Sequence, residues 1–274
     1  MAGQAVGNGE ALTQEAARAW IDRWDGQQEG YLPDREERFT ALIDALEDAV
    51  GRPDPLVIDL GCGPGSLSVR LLARLPKATV VGIDADPLTM ALGRAAFKDL
   101  AGLRFVDADL RVAGWSAGLG LDRRADAVVS TTALHWLTQD ALVATYAEAA
   151  RLLAPGGVVL NGDHMREDDI APTLVRLGRA MASRREQRYL SAARIETWED
   201  WWAAVAADPD LAALNAEREA RNVDTEHHGS SAGLLSVQTS ALRAAGFAEV
   251  GVLWQYGYNR LLCGVMPAVL PAQS

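Results

Sequence analysis

The chain has 274 residues, 49% of them hydrophobic and 23% charged, with a formal net charge of −11. That length suits one α/β domain or a core domain with an inserted cap, and that composition supports a real core. The negative charge repels phosphate backbones and argues against a nucleic-acid partner, while two isolated cysteines, Cys62 and Cys263, offer neither a disulfide framework nor zinc-ligand spacing.

Residues 1–12, MAGQAVGNGEAL, lack the basic start and apolar run of a secretory leader. No apolar stretch approaches the roughly 20 residues that cross a bilayer. The expectation is a cytoplasmic protein with no membrane partner. Helical spacing over 12–24 puts Leu12, Ala16, Ala19, Trp20 and Trp24 on one face. Residues 26–33 read as a loop. A second helix is predicted at 34–50, with Phe39, Leu42, Ile43, Leu46 and Val50 on its apolar side and Gly51, Pro53 and Pro55 as breakers. Strands are then predicted at 56–60, 79–84, 103–106, 126–130 and 158–162, separated by helices at 66–75, 88–100 and 139–153. Such alternation predicts a parallel sheet covered on both faces, with right-handed crossovers. Residues 165–230 read as helices and loops without a strand. A helix at 237–245 follows, then strands at 250–256 and 260–266 with Gly257 between them, which can pair as an antiparallel hairpin.

The strongest local signal is Val57-Ile58-Asp59-Leu60-Gly61-Cys62-Gly63-Pro64-Gly65. A buried strand runs into three alternating glycines and then into a helix. Glycine lets backbone approach a ligand where a side chain would collide, and the helix start adds unpaired N–H groups. Asp84 ends the second strand about 20 residues on, where an acid can bind ribose hydroxyls. After the third strand, Asp107 and Asp109 stand where a carboxylate can accept from an adenine amine. A structural turn and solvated acids are the plain alternative for these features. NAD(P) dehydrogenases and nucleoside-cofactor methyltransferases both use such a strand, loop and acid.

With Asp59 directly before the glycines, GxGxG spacing and a terminal hairpin, the sequence resembles the class I S-adenosylmethionine-dependent methyltransferases. The matching segments are VIDLGCGPGSLS (57–68), VVGIDADP (80–87), FVDADL (105–110), ADAVVSTTALHWL (125–137), LLAPGGVVL (152–160) and LRAAGFAEVGVLWQ (242–255). They cover roughly 35–163 and 237–266. The resemblance implies a Rossmann-like α/β fold: a seven-stranded, mostly parallel sheet with the C-terminal hairpin at one edge, plus a helical cap. It implies one methyltransferase domain over 1–274, with lid helices at 12–50 and a cap insert at 165–230. It also implies S-adenosylmethionine as cofactor. Gly61, Gly63 and Gly65 would pack against its methionine and ribose, and Asp84 would hold the ribose. Asp109 and Leu110 would lie near the adenine, and Asp59 would support the loop or the amino group. Ser130 and Thr131 would lie beside the sulfonium, and Arg38, or else Arg35, would hold the methionine carboxylate.

Methyl transfer is an in-line displacement at carbon, so the protein mostly positions the acceptor and excludes water. A base is needed only where the acceptor must lose a proton. His135, in Thr131-Thr132-Ala133-Leu134-His135-Trp136, could serve as one, or it and Trp136 could simply line the pocket. His227 and His228 are the other candidates, with Asp163 and His164 able to approach the same cleft. Glu226 beside the paired histidines is too little for a metal site. Trp198, Trp201 and Trp202 of the insert, with Trp20 and Trp24, could wall an acceptor pocket or pack as core. Arg176, Arg179, Arg184, Arg185 and Arg188 could draw an anionic substrate or form a solvated helix face. The expected activity is methylation of a small-molecule acceptor at O, N or C. A cofactor-binding protein that transfers no methyl, such as a cyclase or regulator, and an NAD(P)-dependent oxidoreductase are the alternatives.

Overall fold

The computed structural model describes residues 12–168, 170–192, 196–221 and 231–268. Strands β1 (Leu56–Leu60), β2 (Thr79–Asp84), β3 (Leu103–Asp107), β4 (Ala125–Thr131) and β5 (Leu153–His164) pair in parallel. Strands β6 (Glu249–Tyr256) and β7 (Asn259–Val265) form the expected antiparallel hairpin around Gly257, whose φ of 60° suits the two-residue turn. The whole is one seven-stranded sheet in the order β3-β2-β1-β4-β5-β7-β6. β1 is central and buried at every position, which is why its sequence is an apolar run and not an alternation. The strand order reverses between β1 and β4. In open α/β sheets ligands bind in the crevice at that point, beyond the strands' carboxyl ends.

Helices cover both faces. On one face, α2 (Arg35–Val50) and α3 (Ser66–Arg74) bury Phe39, Leu42, Leu46, Leu67 and Leu71 against Val57, Val80 and Val129. On the other, α5 (Gln139–Leu152) and α9 (Leu235–Ala244) bury Leu142, Tyr146 and Leu242 against Ile58, Leu60 and Val128. Side chains alternate across each strand, so neighbours Val57 and Ile58 belong to opposite cores.

Sequence and structure part company at the first helix. α1 (Gln14–Tyr31) runs through most of the predicted loop at 26–33, carrying Gly26 and Gly30 in helical conformation. Each glycine costs about 1 kcal/mol in a helix interior. Tertiary packing offsets that cost: Trp24 sits in a nest of three indoles from a distant helix, and Gln27 and Gly30 are buried. A smaller difference is α4 (Pro87–Ala96), which stops short of its predicted end near 100.

Residues 172–221 hold α6 (Pro172–Ala192), α7 (Trp198–Ala207) and α8 (Ala212–Ala220). α7 starts with a capping box, Thr197 against Asp200. Its Trp201 is fully buried with Trp20, Leu88, Leu92 and Val205, so α1, α4, α7 and α8 share a third core. Arg218 of α8 fastens that core to the sheet: its Nε donates to Asp86 Oδ2 at 2.8 Å, and its guanidinium lies 3.6 Å over the Trp202 ring. Among the described residues, no helix is long and apolar enough to cross a membrane.

Candidate active site

The turn after β1 is shaped by backbone. The N–H groups of Gly61 and Cys62 both donate to the Ile83 carbonyl, at 2.8 and 3.0 Å, which locks the loop to the end of β2. Gly61 has φ 66°, and a Cβ there would lie 2.3 Å from the Ala133 Cβ, so only glycine fits. Gly63, at φ 53°, faces open space, and its N–H donates to Asp84 Oδ2 at 2.7 Å. The second Asp84 oxygen accepts from the Asp86 N–H at 2.9 Å. Burial pushes the Asp84 carboxyl up to about 6, against the pull of these N–H groups. Two bonds leave a carboxylate with further acceptor capacity.

One cavity of about 610 Å³ opens over this turn. Of the residues singled out in the sequence, Gly61, Gly63, Asp84, Asp109, Leu110, Thr131 and His135 line it. Arg38, Asp59, Gly65 and Ser130 do not. Arg38 is fully buried and spans two elements, donating to Asn259 Oδ1 at 2.6 Å and to Thr131 Oγ1 at 2.7 Å. Burial lowers it to about 10, with Asp163 opposing. Arg35 lines the cavity instead, 2.8 Å from Asp25 Oδ1, and its buried Nη1 has no hydrogen-bond partner among the described residues. Asp59 sits behind the loop, accepting from Ser68 Oγ at 2.6 Å, and burial pushes it up to about 7. Ser130 donates to the Leu60 carbonyl at 2.8 Å. Gly65 makes room for the Phe105 ring, which a Cβ would meet at 2.9 Å. Asp109 is clasped by Arg111, 2.8 Å away, a cavity-lining partner that the Asp-x-Arg spacing could have suggested. His227 and His228 lie outside the described residues.

The opposite wall is aromatic. Trp24, Trp198 and Trp202 line the cavity with Tyr31, whereas Trp20 and Trp201 belong to the core beneath. Trp24 lies 5.4 Å from Trp198 and 5.0 Å from Trp201, centroid to centroid. Among the described residues the arginines on the wall are Arg35 and Arg111, each beside an acid. None of the arginines on α6 reaches it; Arg185 pairs with Asp34 and stacks 4.2 Å over Tyr256.

Between the two walls stands a cluster absent from any single motif. Thr132 has φ 54°, a left-handed conformation rare for a β-branched residue, and its N–H donates to the Gly162 carbonyl at 2.9 Å. That kink turns the short segment Leu134–Trp136 toward β5. There Asp163, fully buried, accepts from the His135 backbone N–H at 3.1 Å and lies 2.6 Å from His135 Nδ1. Burial alone would raise the Asp163 carboxyl, but His135, His164 and Arg38 outweigh it and hold the group below the ordinary range. Burial lowers His164 to about 4, keeping it neutral. No group of three or more His, Cys, Asp or Glu side chains among the described residues is arranged to hold a metal ion.

The cradle at Gly63, the acid at the end of β2 and the plate of Ala108, Leu110 and Leu137 suit a nucleoside bearing a ribose diol. Residues 57–157 match the family model described as a methyltransferase domain. The trans-aconitate 2-methyltransferase of Methylobacterium nodulans is 32% identical over 186 residues, 64% of this chain and 66% of that protein. That of Azoarcus sp. is 34% identical over 136 residues, 50% of this chain and 49% of its own. The chain belongs to the class I S-adenosylmethionine-dependent methyltransferases. The chain spans about half to two thirds of the length of those relatives. Its fold is also that of the magnesium protoporphyrin IX methyltransferase from Synechocystis with bound SAH. The TM-score is 0.53 at 18% identity, covering 90% of this chain and 94% of that one.

Proposed function

We propose that the protein transfers a methyl group from S-adenosylmethionine to a small-molecule acceptor held against the tryptophan wall. The observation that carries this reading is a single cavity joining the glycine turn and Asp84 to Trp24, Trp198 and Trp202. S-adenosylmethionine, when bound, supplies an electrophilic methyl carbon. Everything else falls to the chain. Gly61 and Gly63 let the backbone lie against the methionine and ribose, Asp84 accepts from the ribose hydroxyls, and Asp109 with Leu110 borders the adenine. Thr131, at the end of β4, borders the reacting methyl. Arg35, whose buried Nη1 has no hydrogen-bond partner among the described residues, meets the methionine carboxylate. Arg38, Asp59, Gly65 and Ser130 act from behind, holding the pieces that line the cavity.

The same reading takes 1–274 as one domain, working in the cytoplasm. Helices of 12–50 act as a lid, and the helices within 165–230 cap the acceptor and exclude water. The relatives' name gives trans-aconitate as their acceptor. Here Asp84, Asp86, Asp109 and Glu199 share the cavity wall, and the two arginines that line it among the described residues already face acids. That wall suits a ring-bearing acceptor of low negative charge.

Titration calorimetry with S-adenosylmethionine, beside a parallel titration with NADH, tests the cofactor. An assay for S-adenosylhomocysteine across a panel of acceptors tests the transfer. Binding of NADH in place of S-adenosylmethionine would defeat the reading, as would binding without turnover on every acceptor.

A further inference from the structure

We propose that Asp25 is a positioning residue. It holds Arg35 in place for the carboxylate of the cofactor's amino-acid tail, and so makes the site prefer a nucleoside that carries such a tail over one that lacks it. The inference rests on the cofactor reading proposed above and concerns the methionine end of the same cavity. Asp25 lies on α1 between Trp24 and Gln28, which both line the cavity, while Asp25 itself stands one layer behind the wall. Its carboxylate joins three helices. Oδ1 accepts from Arg35 Nη2 of α2 at 2.8 Å and from Ser66 Oγ of α3 at 2.6 Å. Oδ2 lies 3.1 Å from Arg70 Nη2, one turn further along α3. Arg35 and Ser66 are both buried and both line the cavity. Ser66 directly follows the glycine turn, so the clasp ties α1 and α2 to the loop over which the cavity opens.

An arginine on a flexible stem gives up rotamer freedom when it meets a ligand, and a partner that fixes it beforehand removes that loss from binding. Asp25 takes one edge of the Arg35 fork. The buried Nη1 has no hydrogen-bond partner among the described residues, the Glu36 carboxylate being 3.8 Å away and half exposed. A buried cationic donor in that state is costly until an acceptor reaches it, and a carboxylate matches the edge of a guanidinium. Arg70 keeps Asp25 from cancelling the charge of Arg35. It shares the same acid, and both guanidinium groups lie over the Phe39 ring, Arg35 at 4.8 Å and Arg70 at 5.3 Å. Burial alone would raise the Asp25 carboxyl, but Arg35, Ser66 and Arg70 outweigh it and hold the group below the ordinary range. The clasp is therefore charged at neutral pH.

The consequence is a division of labour along the ligand. Asp84 and Leu110 line the part of the cavity that addresses the nucleoside, whatever tail it carries. The Asp25–Arg35 pair acts on the tail alone. S-adenosylmethionine and S-adenosylhomocysteine carry the same carboxylate and gain from the pair alike. 5′-Methylthioadenosine keeps the nucleoside and the thioether but has no amino-acid tail, so it gains nothing.

Calorimetry of the full chain with S-adenosylhomocysteine comes first. A wild type that does not bind it overturns the cofactor reading and this one together. The wild type is then compared with Asp25→Asn, which keeps the shape of the side chain and removes its charge, and with Arg35→Lys, which keeps a charge and loses the fork. 5′-Methylthioadenosine is titrated by displacement of S-adenosylhomocysteine. Asp25→Asn is expected to weaken S-adenosylhomocysteine by about tenfold or more, and 5′-methylthioadenosine by less than about threefold. Equal losses on both ligands would make Asp25 a plain structural residue and reject the proposal. A gain in affinity for S-adenosylhomocysteine would reject it too, because Asp25 would then oppose the cofactor carboxylate. A second measurement needs S-adenosylhomocysteine alone. Asp25 acts through Arg35, so the double variant should bind little worse than Arg35→Lys. Additive losses, or an Arg35→Lys protein that binds as the wild type does, overturn this proposal and leave the cofactor reading standing.

Discussion

Around Gly61 and Gly63 the cavity wall is backbone, set by φ angles and by N–H groups aimed at Ile83 and Asp84. Around Trp24, Trp198 and Trp202 it is side chain, brought together by helices from distant parts of the chain. The first wall is specified within a few consecutive residues and rests on the central strand of the sheet. The second exists only once α1, α7 and α8 have docked. Damage to the first should therefore appear as lost binding, and damage to the second as lost stability.

The largest effect is expected under the tryptophan wall. Trp201→Ala empties a fully buried site and should cost about 3–5 kcal/mol of unfolding free energy, measured by denaturant melts. Affinity for S-adenosylmethionine should change far less; an equally large loss of binding would erase the contrast between the walls. Asp84→Ala should do the reverse. Loss of two charge-assisted bonds to ribose hydroxyls, each worth about 1.5–3 kcal/mol, predicts roughly a hundredfold or greater loss of cofactor affinity by calorimetry. Undiminished binding would remove Asp84 from the site.

A smaller effect concerns pH. Asp59 titrates near 7 in the folded protein against an ordinary value of 3.8. The folded state thus holds this proton more tightly than the unfolded chain. Its contribution to stability is complete below about pH 4 and is lost as the pH rises through about 7. Asp59→Asn should flatten that part of the stability–pH curve, and an unchanged slope would mean another group produces it. Smallest of all, Thr132→Asn places a residue tolerant of φ 54° at the kink and should stabilise the fold by at most about 1 kcal/mol. A measured destabilisation would show that the Thr132 side chain contributes more than its strain costs.

The alternation of apolar strands and amphipathic helices was readable because each element obeys its own period, and β1, β2 and α5 begin where their residues predict. The glycine turn was readable for a related reason: left-handed backbone and close approach leave a mark in residue type. Arg38 and Arg35 were not separable. Both lie on α2, three residues apart, and the partner that draws Arg38 away is Asn259 of the hairpin. The tryptophans divide the same way. Trp198 and Trp202 reach the cavity while Trp201 between them is core, a matter of how α7 is rotated against α1.

From residue order alone came the sheet, its terminal hairpin, the glycine turn and the acid that faces it. These depend on local conformation and on periodicity, which neighbouring residues encode. The continuation of α1 through Gly26, the Asp163 carboxylate under His135 and the makeup of the tryptophan wall came only with the fold. Each is a contact between segments far apart in the chain, and its free energy depends on burial and docking geometry that no short window of sequence contains.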